Sequence, residues 1–492
     1  MTMTQSPRST RILLLLIILG YAAAGACYAY FTPAWQAPDE PAHYNYIRYL
    51  VDEGRLPVLQ MGDYPHEYLE EIKARRFPEE MSIAPLRYEF HQPPLYYALA
   101  SVVYRATGGS LLALRLLSLL LGMGLLAVAW RLVRAIFPRR PGLALGAVAF
   151  IAFLPMHLAM TSAVNNDALA ELLLAASALG LVRYLRASAG AGVRASARLA
   201  PARSAELGLL IGLGLVTKLS AFVTLPLALV ALLIAPSGRW ERLRDGLLIF
   251  GLAGLVLLPW LARNHLVYGG LDLLGLNRHN QIVIGQPRTA EWLEEMGWRG
   301  LLQAFLQTTF QSFWGQFGWM GVLLDSRIYE LLKLLSALVA FGFLLFLIRA
   351  YQSLLSRWRL PLLLALWLSF TFLSYLWYNL QFVQHQGRYL FPALVPLGLV
   401  FALSLSEVLA RSRAWSMAGF SLILVLLLTA EGLLLGGLDK WAIALGAGAG
   451  VFFILRGFFP RDWDEWVQGL PYMGLFALDF ICLFGFIVPS LT

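Results

Sequence analysis

The acids and histidines of this chain are few and clustered. Residues 37–46 read "APDEPAHYNY", with Asp39 beside Glu40 and His43 one turn further on. A carboxylate at a membrane face can take the proton from an attacking hydroxyl or ligate a metal ion. The same stretch also suits a helix start, with Asp39 as N-cap, Glu40 in the first turn and Pro41 near the first helical position. A cap bond would lower the carboxyl pKa and weaken it as a base. Both readings stand, and the acidic pair leaves open which member would be the base.

Three further stretches carry chemistry. "FHQPPLYY" (90–97) sets His91 before two prolines that forbid a helix start before Pro94. His91 would either orient a phosphate or sugar, or sit in a rigid entry turn beside interfacial tyrosines. "TSAVNNDALAELL" (161–173) carries Asp167, with Glu171 one turn on. Acids at this depth are costly and read as functional by default, although Asp167 also suits a helix cap. Lys218 interrupts "LVTKLS", Arg263 follows a long apolar run, and Arg388 and Tyr389 lie in "QGRYLFPAL". Such cations would bind a lipid phosphate, arginine with a two-pronged fork, or snorkel to headgroups. Gly387 permits a close backbone approach and favours the site reading for Arg388, with Lys218 and Arg263 behind it. "FWGQFGWMG" (313–321) would form an interfacial aromatic belt or stack on a sugar.

The elements that hold these residues follow from composition. Of 492 residues, 59% are hydrophobic and 14% charged, against roughly 25% charged in soluble domains. Near-uncharged windows of about 20 residues recur, the signature of membrane-spanning helices. We read about thirteen spans: 11–31, 109–137, 141–162, 166–187, 205–219, 219–236, 244–262, 328–349, 360–378, 389–410, 415–435, 441–457 and 470–489. The pair that meets near Lys218 reads as short helices bending back. The first run is too long for a signal-peptide core and is read as a span. Cys27 and Cys482 both lie in apolar runs, so no disulfide framework is expected.

Arginine-rich connections alternate to one side, which the positive-inside rule makes cytoplasmic. The long segments 32–92 and 263–327 then face outward and hold His43, His66, His91, His265 and His279. Short amphipathic helices are expected in 40–54 and 65–77, and a flexible inner loop over 186–205. The net charge of +9 serves orientation, not nucleic-acid binding. No Walker loop, dinucleotide fingerprint or zinc spacing is present.

"PDEPAH", "HQPPLYY", "NNDALA", "LVTK" and "QGRYLFPAL", in that order over residues 11–410, resemble the GT-C superfamily of integral-membrane glycosyltransferases that use polyprenyl-phosphate sugars. The nearest branches are the protein O-mannosyltransferases and the lipid A aminoarabinose transferases. The resemblance implies an all-α, polytopic GT-C fold. It implies a conserved module, 1–262, with outer loop 32–92, and a variable module, 263–492, with outer loop 263–327. It makes Asp39 the catalytic base, with Glu40 beside it, and Asp167 the acid of the second outer loop. Some relatives use a divalent metal ion, and no other cofactor is implied. The soluble C-terminal domain and WWD signature of oligosaccharyltransferases and the β-trefoil of eukaryotic O-mannosyltransferases are absent. Lipid or glycan acceptors are therefore better supported than protein ones.

The sequence thus points to a plasma-membrane glycosyltransferase acting on the outer face. Its partners would be a polyprenyl-phosphate-linked sugar donor, an acceptor hydroxyl and membrane lipids. The alternative is a transporter or flippase of amphipathic substrates. That reading wants polar residues near the midplane, where Asp479 is the only acid, and does not explain clusters gathered on one face.

Overall fold

The computed structural model describes residues 7–189 and 193–492. Its first helix, Pro7–Phe31, shows why a span can pack without a polar outer face. Leu15, Leu16 and Leu19 are more than half exposed, while Tyr21, Ala24 and Tyr28 are buried. Lipid tails are as apolar as leucine, so the large side chains face outward and the buried stripe carries small residues and hydrogen-bonding tyrosines. Tyr21 donates to Thr161 Oγ1 at 2.7 Å, and Tyr28 donates to the Asp479 carbonyl at 2.8 Å.

Every expected span coincides with a helix or helix pair, and the count of thirteen is left unconfirmed. Among the described residues, nine helices are long and apolar enough to cross a membrane, or ten if one bent pair forms a single span. Helix Lys440–Arg456, with 17 residues, stands at the short end of the spanning range. The stretch near Lys218 ends one helix at Leu215, passes through a 3-10 turn at Leu219–Val223, and leaves only the short helix Thr224–Ile234. The expected span 141–162 is broken. Pro141–Ala152 and Pro155–Thr161 meet at 66° because Leu154, before a proline, is extended. The expected inner loop 186–205 is largely helical, in Asp167–Ala189 and Val193–Leu215. Its alanine, arginine and leucine content favours helix despite Pro201. Residues 190–192 of that loop lie outside the described residues.

The two long segments meet at one end of the bundle. Segment 32–92 forms helices Glu40–Glu53 and His66–Ala74, then a 3-10 turn, Tyr88–His91. Gly54, at φ 64°, ends the first of these helices with its N–H on the Leu50 carbonyl. Helix Leu95–Thr107 follows Pro94 and was not anticipated; at 13 residues it is too short to read as a span. It stacks Tyr97 on Tyr46 with centroids 3.7 Å apart. Segment 263–327 supplies helices Leu276–Ile282 and Thr289–Trp314 and a two-stranded hairpin, Gln316–Phe317 with Val322–Leu323. "FWGQFGWMG" therefore turns back on itself. Trp319 stacks on Phe77 at 5.9 Å and donates to the Trp35 carbonyl at 3.0 Å. This indole ties the two segments together.

Candidate active site

Asp39 and Glu40 are neighbours with opposite surroundings. Asp39 occupies the N-cap position of Glu40–Glu53, but its backbone is left-handed (φ 67°) and its side chain makes no cap bond. The expected capping role is thus overturned. In this conformation the carboxylate turns away from the helix N–H groups and reaches across the bundle. Its Oδ2 accepts from Arg388 Nη2 at 2.7 Å, and its Oδ1 accepts from the Tyr88 hydroxyl at 3.1 Å. Burial pushes the carboxyl up, but Arg388, His43 and Lys218 outweigh it and hold Asp39 below the usual carboxylate range.

Glu40 is fully buried and fully used. Arg115 donates to it from Nε at 2.8 Å and from Nη2 at 2.6 Å, and the N–H groups of Trp35 and Val164 donate at 3.2 and 3.1 Å. The remaining Arg115 hydrogens tie the carbonyls of Ala29, Thr32 and Pro33, where the first helix ends. Glu40 is a strut in this arrangement. Arg115 escaped the sequence reading because one cation in the run "LLALRLLSLL" was absorbed into a span; a charge inside such a run was the available signal.

The second pair is Asp167 with Lys218. Asp167 Oδ1 accepts from Lys218 Nζ at 2.7 Å, and both side chains are about one-fifth exposed. Asp167 does not cap its own helix; Asn165 Oδ1 accepts the Asp167 N–H at 3.0 Å. Lys218 is held in an extended backbone between the ends of two helices.

Arg388 begins the 3-10 turn Gly387–Ala393. A Cβ on Gly387 would lie 2.4–2.5 Å from the Phe313 backbone and the Thr309 carbonyl. Only glycine lets this turn sit against helix Thr289–Trp314, and its N–H donates to Ser312 Oγ at 2.7 Å. Arg388 is mostly buried, touches Met160 Sδ at 3.8 Å, lies over the Tyr389 ring, and keeps its Nε–H without a partner. Tyr389 packs against Tyr375 and Tyr378.

The other expected residues divide. His43 is buried with Nδ1 at 2.8 Å from the Tyr97 hydroxyl, and it faces Glu89, Lys218, Asp39 and Asp167. His91 turns its Nδ1 to the Tyr88 carbonyl at 3.0 Å, and its ring lies 4.4 Å from that of His279. Burial lowers His91 to about 4 and His279 to about 3, so neither supplies a positive charge to a phosphate near neutral pH. Arg263 is not brought to the cluster. It binds the Pro57 carbonyl and Asn264 Oδ1 and stacks between Trp260 and Tyr268. Glu89 was missed, although it stands one residue before the quoted "FHQPPLYY". Its carboxyl faces His43, Asp39 and Lys218.

Among the described residues, no three His, Cys, Asp or Glu side chains converge as a metal site. Asp39 and Asp167 each spend their charge on a basic side chain. These residues do not fit a divalent ion, and no step below is routed through one. What the arrangement offers is a carboxylate that can take a proton, two cations that can hold a phosphate, and a tyrosine-lined surround.

Residues 91–262 match the family model described as dolichyl-phosphate-mannose-protein mannosyltransferase. Two crystal structures of ArnT from Cupriavidus metallidurans are similar over nearly the whole chain. The one bound to undecaprenyl phosphate has 14% identity and a TM-score of 0.53, covering 98% of this chain and 77% of that one. The apo form has 15% identity and a TM-score of 0.54, covering 96% and 76%. The oligosaccharyltransferase of Archaeoglobus fulgidus, tethered with an acceptor peptide, is similar at 15% identity and a TM-score of 0.47, covering 92% of this chain and 55% of that one. No curated protein matches the chain by sequence. The chain is a multi-pass helical membrane protein with the fold of the ArnT structures.

Proposed function

We propose, from the GT-C membrane glycosyltransferase fold of this chain, that it transfers a sugar from a polyprenyl-phosphate donor to an acceptor hydroxyl on the outer face of the plasma membrane. The observation that carries this reading is the Asp39–Arg388 contact at 2.7 Å, with Asp167–Lys218 beside it. A base and a phosphate-binding cation are needed on either side of one anomeric carbon, and here they already touch.

In the resting site Arg388 masks the base. A donor phosphate offers the guanidinium a second anion, and the unpartnered Arg388 Nε–H gives it a further donor for that phosphate. As Arg388 turns to the phosphate, an Asp39 oxygen is released toward the acceptor. The acceptor oxygen attacks the anomeric carbon and its proton passes to Asp39. The bond from that carbon to the phosphate oxygen breaks, and polyprenyl phosphate leaves with the electron pair. Arg388 and Lys218 stabilise the charge that grows on it. One displacement inverts the anomeric configuration. The acceptor is a lipid, glycan or protein hydroxyl, the lipid and glycan classes being favoured.

The competing transporter reading would draw on Asp479, fully buried in its span with both carboxyl oxygens unpartnered. One assay separates them. Purified protein is given radiolabelled sugar on undecaprenyl phosphate with membrane-lipid and glycan acceptors. Release of undecaprenyl phosphate, abolished in Asp39→Asn, is the expected result. Movement of intact donor across vesicles without release, lost in Asp479→Asn, would establish the transporter instead.

A further inference from the structure

Asp39, Glu40, Asp167 and Glu89 lie together at this end of the bundle, and the first three each have an arginine or lysine: Asp39 with Arg388, Glu40 with Arg115, and Asp167 with Lys218. Glu89 has none. Its Oε2 is closed off from solvent and has no hydrogen-bond partner. A buried acceptor left empty is destabilising, so natural folds rarely keep one without a use.

Its position suggests the use. Glu89 lies in the 3-10 turn Tyr88–His91, between Tyr88, which bonds Asp39, and His91. The turn is rigid. Asn45 Nδ2 holds the Leu86 carbonyl at 2.8 Å, and His91 Nδ1 lies 3.0 Å from the Tyr88 carbonyl. Gln92 reaches the Glu89 carboxyl, while its own Oε1 accepts from Asn166 at 3.3 Å. The carboxyl is thus braced by Gln92, and its buried Oε2 stands unpartnered. The Glu89 carboxyl lies near His43, Asp39 and Lys218, with Tyr97, Tyr378 and Tyr389 around them. Burial keeps the group above its usual carboxyl range, with Asp39 adding to the rise.

Resting on the glycosyltransferase reading, we infer that Glu89 Oε2 accepts a hydrogen bond from a hydroxyl of the donor sugar, making this turn the sugar-recognition element of the site. The sugar class follows from the surroundings. Lys218 and Arg388 are each matched by an aspartate, so the site offers no unpaired cation to a negatively charged sugar. A neutral hydroxylated sugar places an O–H on Glu89 and its ring among the tyrosines.

The test compares affinities of the full-length protein in lipid nanodiscs for undecaprenyl phosphate and for its glucosyl and mannosyl phosphodiesters. In the wild type, at least one neutral hexose should raise affinity over the bare lipid phosphate. Glu89→Ala should remove about fivefold to tenfold of that gain, and Glu89→Gln, which keeps a carbonyl acceptor, should remove less. Affinity for bare undecaprenyl phosphate should stay unchanged in both. The ligand-free Glu89→Ala protein should melt at a higher temperature, because an empty buried acceptor has gone. No hexose-dependent gain in the wild type, or a full gain in Glu89→Ala, overturns the inference while leaving phosphate binding and the transferase reading intact. A lower melting temperature with the gain retained makes Glu89 a structural brace. A wild type that binds no undecaprenyl phosphate overturns the transferase reading and the inference with it.

Discussion

Asp39 and Arg388 stand 349 positions apart in the chain and form one ion pair at 2.7 Å. The pair joins the residue expected to act as base to the residue expected to bind phosphate, so each holds the other idle. Asp39 in this state is a depressed, masked carboxylate. A donor that draws Arg388 away raises its basicity at the moment it is needed. Loading of the donor and unmasking of the base then become one event.

This coupling has a pH signature. Arg388→Gln removes the largest influence lowering the Asp39 carboxyl, and burial, which raises it, is left less opposed. The acid limb of kcat/KM, which reports the donor-free enzyme, should therefore move to higher pH in Arg388→Gln. The wild-type ion pair adds stability that is full above the unfolded carboxyl value of about 3.9 and is lost as pH falls through the lower folded value. Wild-type melting temperatures should accordingly lose nothing from this pair between pH 7 and about 5. An unmoved acid limb in the variant would remove Asp39 from the proton transfer.

Donor affinity tests the other partner. Arg388→Ala should weaken binding of undecaprenyl phosphate roughly ten- to a hundred-fold, the worth of a charge-assisted hydrogen bond. Arg388→Lys should restore only part, since the fork is lost. Isothermal titration in nanodiscs gives both numbers, and normal binding by the alanine variant would leave Arg388 as a structural partner of Asp39 alone.

The acidic pair should separate cleanly by substitution. Asp39→Asn removes the proton acceptor at a site that is part-exposed and makes no cap bond. Turnover should fall about 10²–10⁴-fold, with a smaller loss of melting temperature than in Glu40→Gln, whose partner Arg115 is the more deeply buried. Glu40→Gln leaves Arg115 buried without its counter-charge. Breaking a buried pair costs about 3–5 kcal/mol, so this variant should express poorly and melt early. A stable Glu40→Gln protein with no turnover would move the base to Glu40.

Gly387→Ala probes positioning without touching a charge. The new methyl would meet the Phe313 backbone and the Thr309 carbonyl at 2.4–2.5 Å. These are backbone atoms that cannot swing aside, so the turn carrying Arg388 must shift. Overpacking of this kind costs about 1–3 kcal/mol. Donor affinity should drop with it, as read by melting temperature and titration together.

Sidedness is checked by labelling. In a Cys27→Ser background, a cysteine in place of exposed Glu79 should react with an impermeant maleimide in intact cells, and one in place of exposed Arg357 should not. The reverse pattern would place Asp39 on the cytoplasmic side and end the outer-face mechanism.

The membrane-spanning, all-helical character was legible from composition, because burial in lipid demands long uncharged runs that few other structures need. The helix stop at Gly54 was legible too, since it depends on the backbone freedom of one residue. Asp39, Asp167, Lys218 and Arg388 stood out because a charge beside apolar runs is expensive wherever it lies. The break within 141–162 was not legible, because packing against neighbours tolerates a broken helix. Nothing local distinguished Asp39 from Glu40. Their roles diverge because a left-handed backbone at Asp39 sends one carboxylate to Arg388, while Glu40 meets Arg115, 75 positions away. Glu89 was invisible for the same reason: an acid in a polar segment looks solvated until the fold closes over it and leaves one oxygen unanswered. Type and spacing along the chain determined which residues were costly. Only the tertiary structure decided which charges cancel and which remain to act, because ion pairs form between positions that chain distance does not relate.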